Sequence, residues 1–336
     1  MFKRTVPSSG ARRTLLAGVA TLSALALAAC GTTEAPSESG APAAGEAVTL
    51  TDARGAEVEI PGGVEDVVAL EWVAVEHLQT VGVAPLGVAD VAGYEEWAGT
   101  GAPLEGDPVD VGTRVEPSID AIAGLAPDLI IAVAGRDEGA YADLEAIAPV
   151  LVLQGADAAA PIETMYDDLR LVGEAVGGQD AAEDAIAAFE EHVDELAEQV
   201  AEDGLEGTPV AHMDGYENGG QIEIRPYADG ALLPAVFEEI GLQNAWPGEG
   251  DPQYGLGVTD VEGLTVLPDD AHIVYMTVGE RDVFTQQLAS NAIWTGLPPV
   301  QAGRVHRLPD GIWLFGGTGS MTAYLDALVA ALAPTP

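Results

Sequence analysis

The stretch DAAEDAIAAFEEHVDELAEQVAE at residues 180–202 carries the longest uninterrupted helical pattern in the chain. Its apolar side chains recur at steps of three or four residues, at Ile186, Phe189, Val193, Leu196 and Val200. Gly177 and Gly178 break the preceding helix, and Asp180 with Glu183 is expected to cap the new one. At about 1.5 Å per residue this helix is roughly 35 Å long, so it can join two lobes as a rigid rod.

Short apolar runs alternate with helical patterns on both sides of this helix. The runs before it that predict buried parallel strands are 67–70, 83–89, 129–134 and 150–153, and the candidate strands after it are 210–213, 222–224, 272–277 and 305–308. Helical patterns at 118–125 and 141–147 separate strands of the first group. The fold class is therefore α/β, with two doubly wound, Rossmann-like lobes. We expect an N-terminal lobe at 48–178, a connecting helix at 179–203 and a C-terminal lobe at 204–336.

The N-terminus has the layout of a secretory signal peptide. Four basic residues precede an uncharged segment at 15–29 that is too short to span a bilayer as a mature helix. The segment ends in LAAC at 27–30, which resembles the lipobox of bacterial lipoproteins, and the lipobox implies acylation of Cys30. We expect a signal peptide at 1–29 and a lipid anchor, such as palmitate, on Cys30. Residues 30–47 are rich in small, acidic and proline residues and predict a disordered linker.

The charge balance excludes several classes of partner. Of 12 basic and 55 acidic residues, four basic ones and no acidic ones lie in 1–29. The remaining chain thus carries eight arginines, no lysine and a formal charge of −47. Such a surface repels nucleic acid and anionic lipid headgroups, so neither is an expected partner. Cys30 is the only cysteine, so no disulfide can form within the chain.

Ligands of open α/β sheets bind beyond the carboxyl ends of the parallel strands, and several chemically distinctive residues lie there. Glu71 and Trp72 follow the run at 67–70, and Arg136 follows 129–134. Arg114 lies in a loop that leads into the helix starting near Ser118. We expect Arg114 and Arg136 to point into one cleft. The alternative, that they are surface arginines paired with some of the many acids, stays open at this point.

Aromatic residues fall in predicted loops although they make up only 5% of the chain, namely Trp97, Trp246, Tyr254 and Trp313. We expect large aromatic rings in loops to line a site, because in a loop they do not contribute to the hydrophobic core between strands and helices. For Trp246, packing at the edge of the core is an equally good interpretation.

Seven segments in order resemble the periplasmic siderophore-binding proteins of ABC importers, in the ferrichrome and ferric-citrate branch. They are VALEW at 68–72 with Val75 and Glu76, GVAD at 87–90 with Tyr94 and Trp97, GTRVEP at 112–117, APDLIIA at 126–132, IAP at 147–149, NAWPGE at 244–249, and AGR at 302–304 through WLF at 313–315. The resemblance covers nearly everything from Val48 onward. It implies a monomeric, lipid-anchored carrier outside the cytoplasmic membrane that binds a ferric siderophore between its lobes and has no enzymatic activity.

The resemblance also assigns roles to residues. Arg114 matches an arginine that contacts the iron-bound oxygens of a hydroxamate, and Trp97, Tyr254 and Trp313 match aromatic residues that pack on the ligand. To match the family's tryptophan at this point, Tyr254 has to be shifted by one residue in the alignment of the two sequences. We include four further residues among the ligand-binding candidates: Glu71, Trp72, Tyr227 and Phe315.

Arg136 departs from the hydroxamate binders, which carry tyrosine there, and is similar to the ferric-citrate binders, which carry arginine nearby. Guanidinium groups suit either ligand, because they donate to polarised oxygens without losing their proton. Each charge-assisted hydrogen bond contributes roughly 1.5–3 kcal/mol, and micromolar capture needs about 8 kcal/mol. We favour a hydroxamate siderophore, since the aromatic residues suit its apolar rim.

The family further implies that one acid on each lobe meets arginines of the membrane permease, which works with an ATPase. Asp120, or Glu116 beside it, and Glu262 lie at the corresponding helix starts. The alternative is that these acids belong to the generally acidic, solvated surface.

Other functions have weaker support. Direct zinc or manganese capture needs clustered ligands, whereas the five histidines are scattered in sequence. We expect no metal or other cofactor besides the carried ligand. Ferric citrate, haem or cobalamin remains an alternative ligand within the same fold. An extracellular enzyme and a structural surface lipoprotein remain more distant alternatives, and no nucleophile elbow or phosphate loop supports the enzyme.

Overall fold

Helices and strands alternate along the chain in the computed structural model, which describes residues 45–136, 138–279 and 281–333. The strands are β1 (Val48–Thr51), β2 (Glu57–Ile60), β3 (Val67–Ala69), β4 (Gly87–Val88), β5 (Val109–Asp110), β6 (Gly112–Thr113), β7 (Glu116–Pro117), β8 (Leu129–Val133), β9 (Val150–Leu153), β10 (Pro209–Asn218), β11 (Gln221–Pro226), β12 (Gln243–Asn244), β13 (His272–Tyr275) and β14 (Val305–Arg307). The helices are α1 (Trp72–Thr80), α2 (Val91–Trp97), α3 (Ile119–Leu125), α4 (Tyr141–Glu145), α5 (Pro161–Val176), α6 (Gln179–Glu202), α7 (Leu232–Glu239), α8 (Pro298–Gln301) and α9 (Thr318–Leu332).

The first sheet is parallel throughout, in the order β5-β4-β3-β8-β9. Helices cover both faces of it, so β3, β8 and β9 are apolar at every position and fully buried. The predicted strand at 83–89 is reduced to Gly87–Val88, because Pro85 interrupts the apolar run and pairing begins only after it. The topology confirms the doubly wound prediction for this lobe.

The second sheet is mixed and has the order β11-β10-β13-β14, with β12 also paired to β10. β10, β12, β13 and β14 are parallel, whereas β11 runs antiparallel to β10. The run at 222–224 therefore belongs to a hairpin rather than to the parallel set. Gly219 and Gly220 form its two-residue turn with φ of 61° and 86°, which glycine adopts without steric cost.

The connecting helix is α6, and its apolar face packs against the cores of both lobes. Ala182 and Ile186 belong to the hydrophobic cluster around the first sheet, whereas Phe189, Leu196 and Val200 belong to a cluster of the second. The fold is thus α/β with two lobes joined by one long helix. The helix starts at Gln179 with Gly178 as its N-cap, so the expected capping role of Asp180 is wrong. Asp180 lies inside the first turn instead, and Glu183 pairs with Arg170.

A second connection runs from the C-terminal part of the chain back to the first lobe. The loop between β14 and α9 lies against the first lobe, where the amides of Thr100 and Gly101 donate to Gly311 O at 2.8 and 2.9 Å. Trp313 in this loop packs into the hydrophobic cluster of the first sheet. The described residues, which lie between 45 and 333, accordingly form one compact unit, and the lobe boundaries at 178 and 203 stay predictions.

The start of α9 binds a buried carboxylate of α1. Glu76 accepts hydrogen bonds from Ser320 N and Ser320 Oγ, both at 2.7 Å. Burial raises the pKa of the Glu76 carboxyl, and the hydrogen bonds from the start of α9 oppose that shift. A Cβ at Gly316 would lie 2.6 Å from Glu76 Oε2, so only glycine permits this approach. The glycine-rich run at 316–320 therefore has a role besides the tight turn beside Trp313. It allows α1 and α9 to approach each other closely enough for Glu76 to bond to Ser320.

Several predictions concern the N-terminus, and they lie outside the described residues. These are the signal peptide at 1–29, the lipid anchor at Cys30 and most of the linker at 30–47. Within the described ranges, no helix combines the length and apolarity needed to cross a bilayer.

Replacement of Asp168, a buried residue of α5, is expected to flatten the pH dependence of stability. Asp168 accepts hydrogen bonds from Gln154 N and Gly155 N, yet burial raises the pKa of its carboxyl from 3.8 to about 6. The folded state therefore favours the protonated form, a contribution that is complete below pH 3.8 and lost as the pH rises through 6. Relative to Asp168→Asn, the wild type should lose about 2–3 kcal/mol of unfolding free energy between pH 4 and pH 7. Urea denaturation at four pH values measures this, and parallel pH profiles of the two proteins would contradict it.

Candidate functional site

Glu71 lies at the junction of β3 and α1 and organises one wall of the cleft. It is the N-cap of α1, with extended backbone angles, and its Oε1 accepts a hydrogen bond from Trp72 N at 3.0 Å. A carboxylate in this position is stabilised by the unpaired amides of the first helical turn. Only 4% of Glu71 is exposed, so its negative charge needs further partners.

Two arginines supply those partners. Arg114 Nη1 donates to Glu71 Oε1 at 2.8 Å, and Arg136 Nε lies 2.8 Å from Oε2 as an ion pair rather than a directed hydrogen bond. Arg114 comes from the loop between β6 and β7, and Arg136 from the loop after β8. One buried carboxylate thus brings together the two arginines that the sequence analysis placed in one cleft, and the three groups carry a net charge of +1.

Aromatic rings hold the Arg114 guanidinium in place. Its central carbon lies 3.7 Å from the ring centroid of Trp72 and 5.0 Å from that of Trp313, and these two rings meet edge to face at 4.6 Å. Contacts of this kind between a guanidinium and an indole face are attractive. Trp72 is only 2% exposed, so it serves mainly as the surface on which Arg114 lies.

The opposite wall belongs to the second lobe and centres on Arg225 of β11. Arg225 forms an ion pair with Asp214 of β10, and Nε lies 3.0 Å from Asp214 Oδ1. Burial raises the pKa of the Asp214 carboxyl, and the Arg225 guanidinium opposes that shift by stabilising the ionised form. The charge of this third arginine is therefore matched locally, unlike that of the pair on Glu71.

Phe315 forms the floor between the two walls. Its ring lies 5.8 Å below the guanidinium of Arg225 and meets Tyr254 edge to face at 5.5 Å. Tyr227 stacks with Phe315 at 6.0 Å and is 1% exposed. The structure therefore places Tyr227 behind Phe315, as support for the floor, and not on the surface of the cleft.

The cleft has two adjoining compartments that share Arg225, Trp313 and Phe315. The inner compartment, of about 110 Å³, is further lined by Glu71, Arg136 and Tyr254. The outer compartment, of about 360 Å³, is further lined by Trp72, Asp90, Trp97, Arg114, Asp214 and Tyr216. Eight of the nine ligand-binding candidates from the sequence line one of them, Tyr227 being the exception.

Trp97 lies at the rim of the outer compartment. It is the last residue of α2, so the expectation that it falls in a loop is wrong. Arg281 lies 5.6 Å over its ring and pairs with the neighbouring Glu96 at 2.7 Å. Trp246, for which two interpretations were open, packs into the core of the second lobe with Phe284 and Trp294.

The three docking candidates are exposed on both lobes. Glu116 lies in β7, Asp120 in the first turn of α3, and Glu262 just before a short 3-10 helix (Gly263–Val266). In the part of the chain that the structure describes, none of them forms an ion pair. Their carboxylates are therefore free to meet cations of another protein.

The sequence analysis did not single out Asp90, Asp214 or Arg225. All three follow apolar runs that it had identified, at 83–89, 210–213 and 222–224, so the strand-end rule that found Arg136 could have found them. Among the described residues, no three His, Cys, Asp or Glu side chains lie close enough together to hold an ion.

Comparison with known proteins assigns the family. The sequence model of the periplasmic binding protein family matches residues 67–311. The chain belongs to this family. As a periplasmic binding protein, it is the substrate-binding component of an ABC importer, works outside the cytoplasm with a permease and an ATPase, and is not an enzyme.

Individual relatives cover most of this periplasmic binding protein. The iron(3+)-hydroxamate-binding protein FhuD of Escherichia coli is 26% identical over 78% of this chain and 85% of its own length. The Fe(3+) dicitrate-binding periplasmic protein FecB of the same organism is 30% identical over 74% and 77%. The crystal structure of FhuD from Vibrio cholerae with Fe³⁺-Desferal superposes with a TM-score of 0.70 at 24% identity, covering 81% of this chain and all of that one.

Proposed function

We propose that this periplasmic binding protein captures a ferric siderophore of the hydroxamate type in the cleft and delivers it to its permease. The observation that carries the proposal is the Glu71 cluster, in which one buried carboxylate orients two arginines toward a cavity floored by aromatic rings. Sequence similarity to proteins named as hydroxamate-binding and dicitrate-binding gives the proposal independent support.

The donors of the cluster match the acceptors of a ferric complex. A guanidinium has five N–H groups, and the bond from Arg114 to Glu71 uses only one of its Nη1 hydrogens. The remaining donors can bond to the polarised oxygens around the iron, each contributing roughly 1.5–3 kcal/mol. Tyr254 and Phe315 offer apolar surface to the rest of the ligand.

Charge favours a hydroxamate over citrate. Among the described residues, those with formal charges that line the compartments are three arginines and three carboxylates: Arg114, Arg136, Arg225, Glu71, Asp90 and Asp214. The cleft is therefore neutral overall, within a strongly acidic protein. Three hydroxamates neutralise Fe³⁺, whereas ferric citrate complexes are anionic and would meet an unfavourable field. Ferric citrate remains the second candidate because of Arg136 and the similarity to FecB.

The proposal includes attachment and docking. Acylated Cys30 would hold the monomeric carrier at the membrane by its N-terminus. Asp120 or Glu116 on one lobe and Glu262 on the other would then meet arginines of the permease, since these acids are exposed and unpaired within the described residues.

A ligand panel tests the proposed function. Tryptophans 72, 97 and 313 line the cleft, so a bound ferric complex should quench the intrinsic fluorescence. We expect ferrichrome and ferrioxamine B to bind with micromolar or lower Kd and ferric dicitrate to bind at least tenfold more weakly. Tighter binding of ferric dicitrate would favour the citrate alternative. Haem and cobalamin are included as the remaining alternative ligands, and tighter binding of either one, or failure of both hydroxamates to quench, would overturn the proposal.

A further inference from the structure

Two of the five histidines, far apart in sequence, meet in space on the second sheet. His272 is the first residue of β13 and His306 the middle residue of β14, and these neighbouring strands run parallel. The register pairs Val274 with His306, so both imidazoles lie on one face of the sheet. His272 Nδ1 lies 2.9 Å from His306 Nε2, with the ring centroids 5.1 Å apart and the ring planes inclined by 14°. One ring therefore donates its N–H to the unprotonated nitrogen of the other.

The histidine pair, His272 with His306, lies apart from the cleft. Neither residue lines either compartment. Met276 and Thr277, which follow β13, line the outer compartment, whereas His272 stands at the opposite end of that strand. Both imidazoles are partly exposed, so solutes can reach them. Capture of a ligand in the cleft therefore gives no reason for the pair.

Both rings of the pair are neutral at pH 7, as metal ligation requires. Burial lowers the pKa of His272 to about 4, with a further contribution from His306, and burial also lowers the pKa of His306. The charges of Arg304 and Asp270 act on His272 in opposite directions, and the Arg304 guanidinium donates to Asp269 O at 3.1 Å. An imidazole nitrogen with a free lone pair is thus available without loss of a proton from a cation.

The spacing of the two nitrogens suits two ligands of one metal ion. Bonds from a metal to imidazole nitrogen are about 2.0–2.1 Å long, so nitrogens 2.9 Å apart subtend an angle of about 90° at the ion. That is the angle between adjacent ligands in tetragonal or octahedral coordination, whereas the wider tetrahedral angle would need the rings to separate. The rings now lie end to end, so each must turn to direct its lone pair at the ion. The donor ring also moves its proton to its outer nitrogen by exchange with water, and no net proton is released.

We propose that His272 and His306 bind one divalent transition-metal ion, with Cu²⁺ preferred over Ni²⁺ and Zn²⁺. Imidazole is a good ligand for all three ions, and Cu²⁺ binds most tightly in the general order of affinities. Within the described residues no third His, Cys, Asp or Glu joins the pair, so water completes the coordination. The strongly negative charge of the chain raises the local concentration of cations. The inference does not depend on what the cleft carries.

A Cu²⁺ titration of the mature protein and three variants tests the inference. His272→Asn and His306→Gln each put an amide, which is a poor metal ligand, in place of the interacting ring nitrogen. His192→Gln is the control, because it removes a histidine that lies 2.9 Å from the Asp326 carboxylate between α6 and α9. Melting curves establish folding, calorimetric titration gives affinities, and electron paramagnetic resonance identifies the nitrogens bound to Cu²⁺. All four proteins share one N-terminus, so copper bound there is common to them.

We expect the wild type and His192→Gln to bind one Cu²⁺ with a Kd on the order of micromolar and to show coupling to two imidazole nitrogens. His272→Asn and His306→Gln should each bind Cu²⁺ at least tenfold more weakly. Ni²⁺ and Zn²⁺ should bind the wild type more weakly than Cu²⁺ does, and Mn²⁺ most weakly of all. Unchanged Cu²⁺ affinity in both variants of the pair would overturn the inference, since surface carboxylates would then hold the ion. Coupling to a single nitrogen, or an equal loss in His192→Gln, would overturn it as well.

Discussion

An Arg114→Ala variant is expected to bind a ferric hydroxamate at least tenfold more weakly than the wild type, with a melting temperature within a few degrees of it. The variant loses the guanidinium that Glu71 and two indole rings hold in the lining of the outer compartment. Stability should change little, because Glu71 keeps its ion pair with Arg136 and its hydrogen bond from Trp72 N.

Two further variants make the test of Arg114 specific. Arg114→Lys keeps the charge but loses the planar pair of donors, so it should restore only part of the affinity. Arg170→Ala removes an arginine of α5 that pairs with Glu183 away from the cleft, so its affinity should equal that of the wild type. Wild-type affinity in Arg114→Ala would show that Arg114 does not contribute to ligand binding.

A Glu76→Ala variant is expected to lose about 3–5 kcal/mol of unfolding free energy, the largest stability effect that we anticipate. Glu76 is 3% exposed and receives two hydrogen bonds from Ser320. The truncation would leave the first amides of α9 buried without an acceptor and would open a cavity between α1 and α9. Urea denaturation of the two proteins at pH 7 measures the difference.

Graded replacements at the same contact separate its components. Ser320→Ala removes one hydroxyl donor and leaves the amide bond to Glu76, so a loss of about 1 kcal/mol is expected. Glu76→Gln keeps the shape and one acceptor, so its effect should lie between those of the two alanine variants. If Glu76→Ala costs less than about 1 kcal/mol, the contact between α1 and α9 contributes little to the fold.

Much of the architecture follows from local sequence patterns. The fully apolar runs of β8 and β9 predict buried parallel strands, because such strands are covered on both faces of the sheet. The spacing of apolar residues from Ile186 to Val200 predicts α6, because this helix buries one face. The antiparallel direction of β11 was not predicted, since a short apolar run carries no information about strand direction. The Gly219–Gly220 turn indicates the hairpin only once β10 and β11 are known to pair.

The site was predictable in composition but not in arrangement. A position after a strand identifies Arg136, and the resemblance to a family identifies Arg114, yet no local pattern indicates that both meet Glu71. The burial of Tyr227 behind Phe315 and the packing of Trp313 on Trp72 likewise depend on contacts between distant parts of the chain. Such contacts arise when whole lobes pack, and single segments do not encode them.

The loop that carries Trp313 back to the first lobe has a consequence for the order of folding. Glu76 and Ser320 are 244 residues apart, so the first half of the chain lacks part of its interior until nearly all of the polypeptide has been synthesised. A fragment ending before this loop would expose the indole of Trp72 and leave the Glu76 carboxylate unpaired. Both halves should therefore acquire protection from hydrogen exchange in a single kinetic phase, because neither is complete without the last turns of the chain.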